Sequence, residues 1–295
     1  MNAGSAGRGL TRAHLALLPM AVVALVAYLG SALWTLRISL SGSRSLPVDT
    51  FVGLAQYQRL YANERWLHSL ANLGSFGLLF IALTLALGLL LALGVDRQVR
   101  SGGALRALFL YPYAMSFIAT GLVWQWILNP ELGLQHQLRH WGWAGFRFDW
   151  LVDPDRALDT IVIATVWQAA GLVMVILLAG LRGIDPDIWR AARVEGVPAW
   201  RLYVSVIIPM LAMPFATATL LLVTGVAKLY DAVVAMTQGG PGTASEVPAK
   251  FVMDYLFGRA NLGLASAAAT SILVLALLLL APLLYARHRA AREPA

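Results

Sequence analysis

Five uncharged residues that could contact a ligand lie in long stretches without any charged side chain. They are two amides, one hydroxyl and two indoles: Asn72, Trp124, Thr165, Trp167 and Gln168. Amides and hydroxyls exchange hydrogen bonds with hydroxyl groups, and indoles offer flat apolar faces. This chemistry suits an uncharged polyol such as a sugar. The same residue types also join neighbouring helices inside a membrane, which is the structural alternative for each of them.

No catalytic or metal-binding pattern accompanies these residues. The chain has no cysteine, and His136 and His140, four residues apart, have no evident third ligand, so we interpret them as surface histidines. The sequence contains no Gly-x-x-x-x-Gly-Lys-Ser/Thr phosphate loop and no serine elbow. We therefore predict no catalytic residue, no cofactor and no metal. This chain is therefore not expected to bind or hydrolyse ATP.

The elements that position the five residues are long apolar runs. The chain of 295 residues is 59% hydrophobic and 13% charged, with a mean hydropathy of +0.70, whereas soluble domains carry about 25% charged residues. Six charge-free runs reach the roughly 20 residues that a membrane-spanning helix needs. They are Leu15–Leu36, Ser69–Val95, Ala107–Asn129, Ile161–Leu181, Leu202–Ala227 and Asn261–Ala286. We predict an all-α integral membrane protein with six transmembrane helices.

The first run could instead be a signal peptide. It follows basic residues and contains the small-residue stretch "GSA" at 30–32. Its length, however, exceeds that of a typical signal-peptide core, which favours an uncleaved first helix.

The placement of arginine and lysine predicts the orientation in the membrane. The N-terminus, the 96–106 and 182–201 loops and the C-terminus carry 12 of the 22 basic residues and 5 of the 15 acidic ones, a balance of +12 − 5 = +7. The opposite face carries 10 of each, so the first face is predicted to be cytoplasmic. This gives cytoplasmic tails at 1–14 and 288–295 around a six-span domain, 15–287. The lipid bilayer accounts for the basic charge, and no nucleic-acid partner is expected.

The cytoplasmic loop 182–201 has the pattern of a short helix. Asp185 suits an N-cap and Pro186 the first helical position. Gly196 can end the helix in a left-handed conformation, and Pro198 allows a new helix to begin. We predict a short helix, a break and a transmembrane helix.

The segment "DPDIWRAARVEGVPAWRLYVSVIIP", residues 185–209, resembles the cytoplasmic signature of ABC importer permeases. That signature reads Glu-Ala-Ala, three residues, Gly, nine residues and Ile-x-Leu-Pro. Ala191, Ala192, Gly196 and Pro209 fall in register, whereas Arg190 stands at the position of the family's glutamate. This charge inversion affects any contact made by that carboxylate but not the helix–break–helix geometry.

Two outer segments are similar to those of sugar-type permeases. They are "GLAQYQRL" at 53–60 and "YDAVVAMTQGGPGTASEVP" at 230–248. The continuation "SEVPAKFVMDYLFGRANLGLASAA" resembles the glucose/mannose branch. The resemblance extends from about residue 15 to residue 287.

The resemblance implies the permease subunit of a binding-protein-dependent sugar importer in a bacterial inner membrane, with glucose or mannose as the expected sugar. Its expected partners are a second permease chain forming a heterodimer, two ATP-binding subunits and a periplasmic sugar-binding protein. The 185–196 helix would be the coupling helix that docks on an ATPase. The residues implied in coupling are Arg190, Ala191, Ala192, Glu195, Gly196 and Pro209, and those implied along the substrate pathway are Thr165, Trp167, Gln168, Trp124 and Asn72.

Two other functional classes remain as alternatives, a secondary transporter and an integral membrane enzyme. The spans lack the carboxylates and lysines that mark proton or sodium coupling, and no internal repeat is evident. Copurification with an ATPase would separate the importer from both alternatives.

Overall fold

The computed structural model describes residues 17–96 and 102–290. The predicted tail 1–14, the short stretch 97–101 and the last five residues of the predicted tail 288–295 lie outside them. The described helices, in chain order, are α1 (Leu17–Ser39), α2 (Ala55–Tyr61), α3 (Glu64–Asp96), α4 (Gly102–Leu110), α5 (Phe117–Ile127), α6 (Leu134–His140), α7 (Ala157–Arg182), α8 (Pro186–Val194), α9 (Ala199–Met210), α10 (Ala212–Ala227), α11 (Asp231–Met236), α12 (Pro248–Met253) and α13 (Leu262–Ala290). Within the described ranges, β-structure is limited to one bridge between Ser41 and Phe51. The predicted all-α class is confirmed.

Three of these helices, α1, α3 and α7, are individually long and apolar enough to cross a membrane. Two bent pairs, α4 with α5 and α9 with α10, reach the same length and composition only when each pair counts as one span. The apolar part of α13 in the described residues, Leu262–Leu278, is shorter. The described chain therefore offers three to five candidate spans, and the predicted number of six stays a prediction.

The predicted single helix over Ala107–Asn129 is wrong, because the chain bends there by 97°. After α4, a 3₁₀ turn covers Tyr111–Ala114, and Met115 and Ser116 are extended before α5 begins. Pro112 lies in this turn and lacks the backbone N–H that a continuing α-helix would need.

The predicted run Leu202–Ala227 is also interrupted, with a bend of 64° at Leu211. Pro214 lies in the first turn of α10. Its ring is incompatible with a helical carbonyl four residues earlier, at Met210, so α9 ends there. The break falls between two prolines, Pro209 in α9 and Pro214 in α10.

By its internal contacts the described chain divides into two compact units. One comprises 17–63 with 252–273, where the backbone N–H groups of Leu262 and Gly263 donate to the carbonyls of Arg44 and Ser43 at 3.1 and 2.9 Å. The Gln56 side chain also donates to the Ser41 carbonyl at 3.0 Å. The two backbone bonds hold the segment after α1 against the start of α13, and the Gln56 bond holds α2 to the same segment.

The other unit comprises 64–251 with the chain from 274 onward, and α7 forms its centre. Most of α7 is buried, which agrees with its apolar residues on every face. Gly88 of α3 lies directly against Val173 of α7, so close that even a methyl group would overlap it. All five predicted pathway residues and the predicted coupling helix belong to this unit.

Candidate functional site

Gln168 bridges α7 to the broken span between α4 and α5. Its Nε2 donates to the carbonyl of Met115 at 2.9 Å, and its side chain is 2% exposed. The Met115 carbonyl is available because the chain there is extended instead of helical. The Oε1 atom of Gln168 is also buried and has no hydrogen-bond partner among the described residues. This amide thus stabilises the break and keeps one acceptor unused.

Trp124 of α5 and Trp167 of α7 form an aromatic pair beside Gln168. Their ring centroids are 5.8 Å apart, with the edge of one ring towards the face of the other. Trp167 is 40% exposed although its neighbour Gln168 is buried, because successive residues of a helix diverge by about 100°. The indoles are therefore the members of the predicted set that offer a surface.

Thr165 is placed differently from the indoles. Its hydroxyl donates within α7 to the carbonyls of Ile161 and Val162, at 2.7 and 3.1 Å, and the residue is buried. The structure therefore places Thr165 behind the surface, where it packs instead of presenting its hydroxyl.

Asn72 of α3 is engaged by the segment that precedes α12. Its Nδ2 donates to the carbonyls of Ala244 and Glu246, both at 2.9 Å. Asn72 also lines a polar cleft of about 440 Å³, together with His68, Pro154, Asp155, Leu158, Pro241, Thr243 and Ala244. Gln168 lies ten residues, nearly three helical turns, further along α7 than Leu158, which also lines the cleft.

An ion pair fixes the same segment and was missed by reasoning from sequence. Glu246 is 1% exposed, and its Oε2 accepts a hydrogen bond from Arg65 Nε at 2.6 Å. Beside it, Trp66 packs on Phe251 with ring centroids 5.2 Å apart. The sequence signal that could have predicted this ion pair is Glu246 itself, a lone acidic residue in an otherwise neutral stretch, since a buried carboxylate needs a cationic partner.

The segment itself is braced internally. Ser245 Oγ lies 2.7 Å from Thr237 Oγ1, and it donates to the Gly240 carbonyl at 2.6 Å. The Ser245 N–H donates to the Gly239 carbonyl at 3.2 Å. The glycine-rich turn at 239–242 is therefore held at both ends.

The predicted short helix is α8, and its ends follow the predicted pattern. Asp185 Oδ1 accepts from the Asp187 N–H at 2.8 Å, which is an N-cap bond. Gly196 has a φ of +63°, and the N–H of Val197 donates to the Ala192 carbonyl at 3.0 Å. This bond closes the last turn around a left-handed glycine.

One face of α8 is packed and the other is exposed. Ala192 is buried, and Trp189 lies against Tyr203 of α9 with ring centroids 5.7 Å apart. On the other face, the predicted coupling residues Arg190, Ala191 and Glu195 are exposed. Pro209 is exposed as well, in the last turn of α9.

Arg190 forms an ion pair with Asp187 at 2.6 Å, with about 70% of each side chain exposed. An exposed pair of this kind stabilises a helix by at most about 1 kcal/mol. Both charges therefore remain available to another protein.

The two histidines four residues apart, His136 and His140, both lie exposed on α6. Among residues 17–96 and 102–290, no three His, Cys, Asp or Glu side chains are grouped as metal ligands.

Comparison with known proteins gives one family and a consistent set of relatives. The model of the family "Binding-protein-dependent transport system inner membrane component" matches residues 84–291. A probable ABC transporter permease of Pyrococcus horikoshii is 35% identical over 257 residues, covering 86% of this chain and 88% of the relative. A trehalose/maltose transport system permease of Thermococcus litoralis is 31% identical and covers 89% of each chain. A xylose/arabinose import permease of Haloferax volcanii is 27% identical and covers 92% of this chain and 86% of the relative.

The fold has a solved counterpart. A chain of a bacterial ABC transporter that imports the acidic polysaccharide alginate matches with a TM-score of 0.81 over 98% of this chain and 99% of that one, at 18% identity. This likeness shows that the arrangement of helices is that of an ABC permease chain.

Proposed function

Because the chain belongs to the family of binding-protein-dependent transport system inner membrane components, we propose that it is the permease subunit of an ABC importer for a sugar. The observation that carries the sugar assignment is the Trp124–Trp167 pair, which offers aromatic faces without any charge, with the buried amide of Gln168 behind it. An aromatic surface with a few hydrogen-bonding groups is the usual composition of a site for a small ligand.

The pathway is proposed to pass Trp124 and Trp167, with Gln168 and Thr165 behind them and Asn72 at the outer mouth. Gln168 fixes the Met115 carbonyl, and we propose that its Oε1, which is buried and has no partner in the described chain, is exposed to a substrate hydroxyl when the wall rearranges during transport. Thr165 supports the wall through packing, since its hydroxyl is engaged within α7. Asn72 holds one wall of the polar cleft.

Among sugars, we propose glucose or mannose. The residues after Ser245 resemble that branch of the family, and the five pathway residues are all neutral. A phosphate ester would call for arginine or lysine at the site. The related proteins include permeases named for trehalose/maltose, for xylose/arabinose and, in Agrobacterium fabrum, for sn-glycerol-3-phosphate, which are the substrates to compare with glucose and mannose.

The coupling function is proposed for α8 and its connection to α9. Arg190, Ala191 and Glu195 would meet the ATPase, while Ala192, Gly196 and Pro209 would set the geometry of the helix, its end and the following span. A short helix capped at both ends and packed on α9 through Trp189 can transmit a displacement.

The remaining features of the assembly are proposed on the same basis. The chain would span a bacterial inner membrane six times, with both termini and residues 182–201 in the cytoplasm. It would pair with a different permease chain and work with two ATP-binding subunits and a periplasmic sugar-binding protein. The second permease chain is proposed because one chain, with three to five candidate spans among its described residues, would not enclose a pathway alone.

The test is reconstitution of the chain with its partner subunits in proteoliposomes, followed by uptake of labelled glucose, mannose, xylose, maltose and glycerol 3-phosphate. We expect ATP-dependent uptake of glucose or mannose and no uptake when the ATPase subunit lacks its phosphate-binding lysine. Uptake of none of the sugars, or ion-driven uptake without ATP, would refute the proposal.

A further inference from the structure

The chain leaves α7, forms α8 and α9, and then returns to α7 close to the point where it left. Helix α7 ends at Arg182, and the bend between α9 and α10 lies at Leu211. A Cβ atom placed on Gly180 would lie 2.5 Å from Pro214 Cγ and 2.9 Å from Leu211 Cδ2. The two ends of the segment between 181 and 210 therefore meet across Gly180.

This meeting point has no room for a side chain. Ordinary contacts of a Cβ begin at 3.4 Å, so a methyl group at residue 180 requires a movement of 3.4 − 2.5 = 0.9 Å. The tip of Leu211 can rotate away because its side chain is flexible. The Pro214 ring has no such freedom, so the backbone at the bend would have to move.

The segment between these two ends is tied together. Trp189 of α8 packs on Tyr203 of α9 at 5.7 Å between ring centroids. Residues that share such packing move together more readily than they separate, because interiors are close-packed. A force on α8 is therefore passed to α9 and reaches the bend at Leu211.

We propose that Gly180 is a positioning residue for transport: it forms, with Leu211 and Pro214, the joint on which residues 184–210 turn as one lever when α8 is displaced. This inference depends on the proposed coupling function of α8. It explains why a glycine occupies the last turns of an otherwise well-packed helix, and it links the coupling helix to the break in the span that follows.

The experiment is Gly180→Ala in the complete importer. Alanine is favoured over glycine inside a helix by about 1 kcal/mol, which offsets part of the roughly 1–3 kcal/mol that overpacking costs, so we expect the complex to insert and assemble. We expect sugar uptake to fall at least tenfold and ATP hydrolysis to lose its stimulation by substrate. Gly225→Ala in α10 and Gly94→Ala in α3 are matched controls, because a Cβ at either position meets nothing within 4 Å.

A rescue variant separates the joint from a general packing defect. In Gly180→Ala/Pro214→Ala the ring atom at 2.5 Å is removed, and the nearest remaining atom of residue 214 is Cβ at 3.2 Å. We expect the double variant to recover a third or more of the uptake of Pro214→Ala alone. The joint is refuted if Gly180→Ala behaves like Gly225→Ala. It is also refuted if the double variant keeps no larger fraction of the Pro214→Ala uptake than Gly180→Ala keeps of the wild-type uptake.

A second measurement applies even if Gly180→Ala fails to assemble. The chain has no native cysteine, so a Trp189→Cys/Tyr203→Cys pair can be joined by a short thiol cross-linker. If residues 184–210 move as one body, the importer with this cysteine pair should retain most of its sugar uptake after cross-linking. The same variant without cross-linker is the reference. Loss of uptake on cross-linking would overturn the lever.

Failure of the lever and failure of the proposed coupling function give different results. If α8 does not couple to an ATPase, Gly196→Asp will leave substrate-stimulated ATP hydrolysis normal. If only the lever is wrong, Gly196→Asp will abolish that stimulation while Gly180→Ala leaves it intact.

Discussion

Replacing Gln168 by leucine tests whether the buried amide serves the substrate or only the fold. The change removes the 2.9 Å bond from Nε2 to the Met115 carbonyl and also removes Oε1, which has no partner in the described chain. Leucine is similar in size and stays buried. The effects on the protein and on the substrate can therefore be calculated separately.

The effects on stability nearly cancel. Losing the bond and leaving the carbonyl without a partner costs about 1–3 kcal/mol, and removing a buried, unpartnered Oε1 returns about 1–3 kcal/mol. We expect the free energy of unfolding to change by about 1 kcal/mol or less. If Oε1 accepts a bond from a sugar hydroxyl during transport, the loss of about 1–3 kcal/mol weakens substrate affinity roughly 5- to 150-fold.

The assay compares the KM for sugar uptake with thermal unfolding of the purified complex. Thr160→Val is the matched control, since Thr160 is also buried on α7 and donates only within its helix, to the Ala157 carbonyl at 2.7 Å. We expect a large rise in KM for Gln168→Leu, a small one for Thr165→Val and none for Thr160→Val. A substantial loss of thermal stability with an unchanged KM would show that Gln168 only supports the break at Met115.

Three further predictions concern orientation, coupling and the outer segment. In single-cysteine variants, Thr243→Cys should react with an impermeant thiol reagent added from the periplasm, and Arg193→Cys should not. Both positions are exposed in the structure. The reverse labelling pattern would contradict the predicted orientation. Gly196→Asp should abolish substrate-stimulated ATP hydrolysis, because residue 196 has a φ of +63° and ends the proposed docking helix. Gly142→Asp is the matched control, since residue 142 also has a positive φ, +101°, and open space around it but lies after α6. Normal stimulation in both variants would make α8 a simple connector. Glu246→Gln should lower the free energy of unfolding by about 2–3 kcal/mol, which is less than for a fully buried pair because Arg65 is 22% exposed. Glu131→Gln is the control, since Glu131 is exposed. Equal melting temperatures for the two variants would argue against a stabilising ion pair.

Local features were predictable because local chemistry decides them. The ends of α8 follow from Asp185 and Gly196, whose side-chain acceptor and left-handed backbone act within one turn. The long apolar stretches of α1, α3 and α7 follow from the absence of charge, since a bilayer excludes charged side chains over the length of a span. These properties can be predicted without knowing which helices pack against each other.

The sequence by itself therefore determined the class of protein and the two ends of the short helix α8, and it supplied the candidate residues. Only the tertiary structure decided that the span after Gly102 breaks at Met115, that Gln168 supports that break and that Glu246 pairs with Arg65. Gln168 and Met115 are 53 positions apart, and Glu246 and Arg65 are 181 apart. Hydrogen bonds and ion pairs of such separation depend on how helices pack. Packing is set by the shapes of all the facing side chains together, and no single motif in the sequence carries that information.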